Sequence, residues 1–185
     1  MNNEAPSLTL EEVAQLAGIE VATLRDWLNG PFGAPSDDIR QLGPFTALAV
    51  CIAAELARRN VEISTAAAAG KKFAHTDEGS PQRDYPGALY SRELGTTVLA
   101  MDIDGKVQIV PASIADAGLG QRILRYEEIA TVIFGPRGVC AINVNPFVAK
   151  IEAKIGADFG SLPRKQPHWG VGGSQSRPQF STGGL

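Results

Sequence analysis

The stretch Leu10-Glu-Glu-Val-Ala-Gln-Leu-Ala-Gly-Ile-Glu-Val-Ala-Thr-Leu-Arg-Asp-Trp-Leu-Asn29 decides the fold of the N-terminal part of the chain. Its pattern predicts two short helices joined by a tight turn at Gly18, since glycine adopts the positive φ that ends a helix at little cost. Thr9 is the expected N-cap of the first helix, and Glu12 stands three residues later, where it completes a capping box. The stretch therefore has the features of a helical hairpin.

The second helix of this hairpin has two different sides. Apolar residues recur at helical spacing and predict a buried side formed by Leu24, Trp27 and Leu28. The opposite side consists of small and polar residues at i, i+3, i+4 and i+7, namely Ala22, Arg25, Asp26 and Asn29. Such a helix can lie in the major groove of DNA with its polar side toward the bases. A helical hairpin that only packs is the alternative interpretation.

At these residues the chain resembles a helix-turn-helix of the MerR family. Gly18–Trp27 is similar to that family's turn and recognition helix, and Thr23–Arg25 stands where the family usually has a Thr-Leu-Arg run. The resemblance covers residues 7–75 and implies a DNA-binding domain with a wing and two more helices. The family's Gly-Tyr-Arg-x-Tyr wing motif is not present, and only Arg40 and Phe45 stand as equivalents of its residues. The sequence also lacks the dimerising coiled coil that usually follows this domain in the family.

The outward side of the second helix carries the predicted base contacts. We expect Arg25 and Asn29 to read bases, because their side chains can form paired hydrogen bonds with base edges. Ala22 would contact a thymine methyl group. Asp26 would either accept a hydrogen bond from a cytosine amino group or orient Arg25.

Four further residues complete the predicted DNA-binding set. Glu20 and Thr23, near the start of the second helix, would set its approach to the phosphates, and Trp27 would brace it from inside. Arg40 could reach a phosphate from the end of the loop over residues 30–38, which contains several glycines and prolines. Arg40 could equally pair with an aspartate of that loop, so both interpretations stay open.

Length and composition favour one globular domain of ordinary size or two small ones. The chain has 185 residues, of which 44% are hydrophobic, but no apolar run approaches the roughly 20 residues of a membrane helix. The first residues lack the charged and apolar regions of a signal peptide, so we expect a cytoplasmic protein without a membrane partner. Cys51 and Cys140 lie in separate apolar stretches and are expected to be buried thiols, with one disulfide as the alternative.

The net charge of −3 is not what a strong nucleic-acid binder usually shows. Residues 1–75 alone contain six Lys and Arg against nine Asp and Glu, which again gives −3. Nonspecific attraction to phosphate must therefore be weak, and DNA binding would depend on a local patch and on several subunits. We expect double-stranded DNA and further copies of this chain as partners.

Two more helices are predicted before the chain changes character. After Pro44, apolar residues at helical spacing predict a long amphipathic helix; they are Phe45, Leu48, Ala49, Ile52, Ala53, Leu56 and Ala57. A fourth helix, capped by Ser64 or Thr65, is expected to run to Ala74 with a break at Gly70. Its small residues suit close packing against another helix.

The second half of the chain has strand patterns. Thr97–Asp102 and Lys106–Val110 are expected to form a hairpin. A three-residue loop that ends at Gly105 would pair Met101 with Val107, apolar against apolar, and would place the glycine at the left-handed position. A two-residue turn would instead pair apolar with polar side chains, so the three-residue loop is preferred.

A second hairpin and a helix are predicted after it. Thr131–Phe134 and Val139–Val144 read as strands joined by Gly-Pro-Arg-Gly. Both faces of these strands are mostly apolar, so we expect them at the centre of the sheet. Asn145 would cap the following helix, with Pro146 at its first position and Gly156 at its end.

Together these patterns predict an α+β protein with four parts. They are an all-α helix-turn-helix domain (7–75), a linker (76–87), a small β-hairpin-rich α+β domain for dimerisation or sensing (88–157) and a disordered tail (158–185). The tail is rich in Gly, Ser, Pro and Gln and has no apolar period. Its Trp169 and Phe180 could anchor a protein partner, whereas a solvated spacer is the alternative.

The sequence contains no motif that points to catalysis. A phosphate loop is missing, and the two His and two Cys are scattered, so we expect no enzyme, no cofactor and no metal site. The leading hypothesis is a transcriptional regulator that binds DNA through the helix-turn-helix. A DNA-recognition subunit like the small terminases of phages or prophages has a similar order of parts. A protein-interaction module without DNA binding is the third hypothesis.

Overall fold

The computed structural model describes residues 6–34, 39–75, 97–111 and 126–162. In chain order the elements are β1 (Leu8–Thr9), α1 (Leu10–Ala17), α2 (Val21–Asn29), β2 (Gln41–Leu42), α3 (Pro44–Arg58), α4 (Ile63–His75), β3 (Thr97–Asp102), β4 (Val107–Pro111), α5 (Tyr126–Phe134), β5 (Gly138–Asn143) and α6 (Asn145–Ile155). This mixture of helices and antiparallel strands confirms the α+β class. The predicted linker and the aromatic residues Trp169 and Phe180 lie outside the described residues.

The N-terminal hairpin forms as the sequence predicts. The Glu12 N–H donates to the Thr9 hydroxyl at 3.2 Å, and the Thr9 N–H donates to the Glu12 carboxylate at 2.9 Å, which completes the capping box. α1 ends at Gly18, whose φ of 64° is the left-handed conformation. The Arg58 guanidinium, at the end of α3, donates to the Ala17 carbonyl and so fixes the end of α1.

α3 and α4 cross closely because α4 has a glycine at the contact. A side chain at Gly70 would overlap the carbonyl oxygen of Ala49 in α3. α4 continues through Gly70, so the predicted break is wrong. Burial of the small residues of α4 against α3 outweighs the low helix propensity of one glycine, which is about 1 kcal/mol relative to alanine.

α4 also begins earlier than predicted. Its first residue is Ile63, so Ser64 and Thr65 lie inside the helix rather than at its cap. The Glu62 carboxylate takes the capping role: it accepts the N–H of Ser64 at 3.1 Å and the N–H of Thr65 at 3.2 Å. A carboxylate is well suited to this position, because the first amides of a helix carry partial positive charge.

Replacing Glu62 with glutamine should remove a pH-dependent contribution to stability. Hydrogen bonds from Ser64, and then from Thr65, lower the pKa of the Glu62 carboxyl from its ordinary value of 4.5. A carboxyl of this kind stabilises the folded state above its unfolded pKa, and the contribution is lost as the pH falls through the folded-state pKa. In urea titrations at neutral pH, we expect wild type to have a larger free energy of unfolding than Glu62→Gln. This difference should disappear as the pH falls below 4.5, the ordinary pKa of the carboxyl. If wild type and Glu62→Gln differed in unfolding free energy by the same amount at neutral pH and below pH 4.5, the capping role would be contradicted.

Among the residues that the structure describes, β3 is the centre of a three-stranded antiparallel sheet with the order β4-β3-β5. The predicted register of the β3–β4 hairpin is confirmed, since Met101 pairs with Val107 and Leu99 with Ile109. Gly105 has a φ of 77°, the left-handed conformation expected in the three-residue loop. The hydrophobic pattern and the loop glycine therefore set this register together.

The predicted second hairpin is wrong in its first strand. Thr131–Phe134 is the last part of the helix α5, which covers one face of the sheet through Ile129 and Ala130. A short apolar run fits a strand or a buried helix equally well, and here packing on the sheet favours the helix. β5 lies at the edge of the sheet and not at its centre. It begins at Gly138, where a side chain would overlap the backbone of Ala130.

The N-terminal helices and the other face of the sheet share one hydrophobic core. Leu24 of α2, Cys51 of α3 and Cys140 of β5 belong to the same cluster of buried residues. Both cysteines are free and buried, which confirms the interpretation as thiols. Burial raises the pKa of Cys51 to about 12, so this thiol stays protonated at neutral pH.

α6 packs against α3 and ends at Gly156, whose φ is 66°. Asn145 does not cap this helix as predicted. Its side-chain oxygen instead accepts the Thr97 N–H of β3 at 2.7 Å. After the helix, Phe159 is buried and meets the ring of Phe45 edge-on at 5.4 Å between centroids, so packed structure extends past the predicted start of the tail. Over the described residues, no helix has the length and apolar character needed to cross a membrane.

Candidate nucleic-acid interface

α2 is fixed to the protein by its apolar side. Leu24 and Leu28 have 0% exposure, and Trp27 is half-buried against the same core. At the start of the helix, the Leu24 N–H donates to the Glu20 carbonyl at 3.0 Å. Because α2 also packs on α1, its orientation is set by the turn at Gly18 and by these buried contacts.

The opposite side of α2 is open to solvent. Its exposed residues are Ala22, Arg25, Asp26 and Asn29, the four that the sequence pattern places on one side. Glu20, just before the helix, is exposed as well, whereas Thr23 is half-buried. The predicted set is therefore divided between residues that a second molecule can touch and residues that the protein partly covers, namely Thr23 and Trp27.

The loop after α2 is fastened by contacts that the sequence pattern does not reveal. The Phe32 N–H donates to the Trp27 carbonyl at 2.9 Å, so the loop folds back on the end of the helix. Lys71 of α4 donates to the Pro31 carbonyl at 3.1 Å, and its ammonium lies 5.9 Å from the centre of the Phe32 ring. Lys71 thus supports the C-terminal end of α2 from another helix.

Arg40 reaches the neighbourhood of α2 through a short strand pair. β1 and β2 have two residues each, and they pair Leu8 with Leu42 and Thr9 with Gln41. The Ser7 hydroxyl extends this contact by donating to the Gln41 side chain at 2.7 Å. The segment that contains Arg40 is thereby held against the first turn of α1.

A cleft of about 400 Å³ opens between this segment, the first turn of α1 and α2. Leu10 and Ile39 give it apolar walls, while Arg25, Arg40 and Glu11 give it charged groups. Arg25 and Arg40 are both exposed, and neither forms an ion pair or a hydrogen bond with the described part of the chain. The structure thus places Arg25 and Arg40, two predicted DNA-contacting residues that are far apart in the sequence, at the same cleft.

Two other arginines near the helical hairpin have structural partners. Arg58 and Arg59 form ion pairs with Glu55 at 2.7 and 3.3 Å, and Arg58 also binds the end of α1. Within the described ranges, Arg25 and Arg40 differ from these two arginines in having no ion pair or hydrogen bond. The exposed carboxylate of Asp26 directly follows Arg25 in the sequence, and Glu20 is exposed just before α2, so the surface is mixed rather than strongly basic.

No protein-family model, curated protein or solved structure matches this chain.

Proposed function

We propose that the protein is a DNA-binding transcriptional regulator that places α2 in the major groove of double-stranded DNA. The observation that carries the proposal is the exposed polar side of α2, whose opposite side is buried through Leu24 and Leu28. A helix held in this way presents its side chains at fixed positions, as base recognition requires. The MerR-like spacing of Gly18 and Thr23–Arg25 supports the same interpretation.

The dimensions and side chains of α2 suit this role. An α-helix with its side chains is about 10–12 Å in diameter, and the major groove is about 12 Å wide, so the groove admits it. With nine residues, α2 is about 14 Å long. Asn29 can form two hydrogen bonds with an adenine edge, and Ala22 can contact a thymine methyl group. Asp26 can accept a hydrogen bond from a cytosine amino group.

The mixed charge of the surface implies that one copy binds weakly. Arg25 and Arg40 are accompanied by Glu11, Glu20 and Asp26, so little of the affinity can come from nonspecific phosphate attraction. Binding of two half-sites by a homo-oligomer would supply the missing affinity through effective concentration. We place this oligomer in the cytoplasm and assign its contacts to the sheet-containing half of the chain.

Selection of bound duplexes from a random pool tests the proposal. Enriched duplexes should bind at least about 1,000-fold more tightly than random duplex at the same salt concentration. Native mass spectrometry of the same sample should show a homo-oligomer. A monomer would contradict the proposal that two linked copies bind two half-sites. A pool without enrichment, or equal affinity for both duplexes, would contradict sequence-specific binding.

Introducing a negative charge on α2 gives a matched pair of variants. Ala22→Glu should weaken binding to the selected duplex about 100-fold or more, because a carboxylate would face the polyanion at the contact. Ala149→Glu, at an exposed alanine of α6, should bind like wild type. Both substitutions keep good helix formers, so circular dichroism should show folded proteins. Equal effects of the two variants on affinity would contradict contact through α2.

A further inference from the structure

The cleft beside α2 contains two guanidinium groups that come from different elements. Arg25 belongs to α2, and Arg40 belongs to the segment that the β1–β2 pair holds against α1. Each guanidinium offers five N–H donors in a planar fork, and neither is engaged by the described part of the chain. Two like charges that line one small space repel each other until an anion comes between them.

We infer that this cleft holds one phosphodiester group of the DNA backbone, bound by Arg25 and Arg40 together. The inference rests on the proposed function and assigns a ligand to one part of the same surface. Glu11 also lines the cleft, so the described residues that line it carry two positive charges and one negative charge. Their sum matches the single negative charge of a phosphodiester. Arginine suits this ligand, because its fork can donate to two phosphate oxygens at once.

This assignment changes the role that the sequence pattern gives to Arg25. A phosphate contact fixes the position and register of a recognition helix but carries no base information of its own. Reading of bases is then left to Asn29, Ala22 and Asp26. Arg40, whose pairing with a loop aspartate was the alternative interpretation, becomes the second half of the phosphate contact.

Single neutral phosphates in the selected duplex test the inference. Methylphosphonate linkages, placed one at a time along the site, should include one position that weakens binding of wild type about tenfold or more. Arg25→Ala and Arg40→Ala should each reduce that penalty at least about threefold, at the same position, and the double variant should abolish it. Lys106→Ala removes an exposed cation of the β3–β4 loop and should keep the wild-type pattern.

The possible outcomes separate this inference from the proposed function. If Arg25→Ala and Arg40→Ala reduced the methylphosphonate penalty at different linkages, or if neither variant reduced it, the two arginines would not share one phosphate. The proposed DNA binding would be unaffected by that result. If Arg25→Ala lost affinity for the selected duplex but not for random duplex, Arg25 would be a base contact, and the shared phosphate contact would again be overturned. Failure of wild type to bind any duplex would overturn the proposed function and this inference together.

A free anion is separated from a backbone phosphate by competition. Inorganic phosphate, compared with chloride at equal ionic strength, should not displace the selected duplex from wild type. Displacement by phosphate that disappears in Arg25→Ala and Arg40→Ala would identify the free ion as the ligand and overturn the assignment to DNA.

Discussion

Gly70→Ala is expected to lower the free energy of unfolding by about 3 kcal/mol. In an ordinary helix the same change would raise stability by about 1 kcal/mol, because alanine has the higher helix propensity. At this crossing, however, the new methyl group would overlap the carbonyl oxygen of Ala49. Backbone atoms cannot rotate away as a flexible side chain can, so α3 and α4 would have to move apart and lose buried contacts.

Ala68→Gly is the matched control for this prediction, since Ala68 is exposed on the same helix. It should cost about 1 kcal/mol through helix propensity alone. Urea titrations of the two variants and wild type measure both effects. A Gly70→Ala variant as stable as wild type, or more stable, would contradict the close approach of α3 and α4.

Leu24→Ala is expected to lower the free energy of unfolding by roughly 2–5 kcal/mol. Leu24 has 0% exposure and belongs to the cluster that joins α2 to the rest of the core. Truncation to alanine removes the apolar contacts of this side chain and leaves a cavity that the neighbouring helices can fill only in part. The loss falls on the contact that fixes the orientation of α2, so it should reduce DNA affinity as well.

Asn29→Ala provides the comparison on the exposed side of the same helix. Its unfolding free energy should stay within about 0.5 kcal/mol of wild type, because Asn29 lies exposed at the surface. Its affinity for the selected duplex should nevertheless fall. If Leu24→Ala were as stable as wild type in urea, α2 would not be anchored as described.

The helical hairpin could be predicted from the sequence because its determinants are local. Thr9 and Glu12 lie within one turn, and Gly18 follows immediately after the last residue of α1. The β3–β4 register is also local, since the loop that ends at Gly105 and the apolar pattern of two adjacent strands determine it. In each case the chemistry of a few neighbouring residues allows only one arrangement.

Other features depend on contacts that no local pattern contains. Thr131–Phe134 has the β-branched and aromatic residues of a strand, yet packing on the sheet makes it the end of α5. Gly70 resembles a helix breaker until α3 is placed against it. Glu62 caps α4 from a position just before the serine and threonine that the usual capping preference selects.

The candidate site was predicted in part for the same reason. The exposed side of α2 follows from helical spacing within one short segment. The cleft does not, because Arg40 reaches it only through the pairing of β1 with β2. The support of the α2 loop by Lys71 likewise joins residues that are far apart along the chain.

Amide NMR of the full-length chain, titrated with the selected duplex, shows which residues meet the DNA. If α2 is the DNA-binding helix, the largest chemical-shift changes should lie in residues 20–29 and 39–41, with small changes in α5 and β5. Changes concentrated in the sheet and α5, with residues 20–29 unaffected at saturation, would contradict binding through α2.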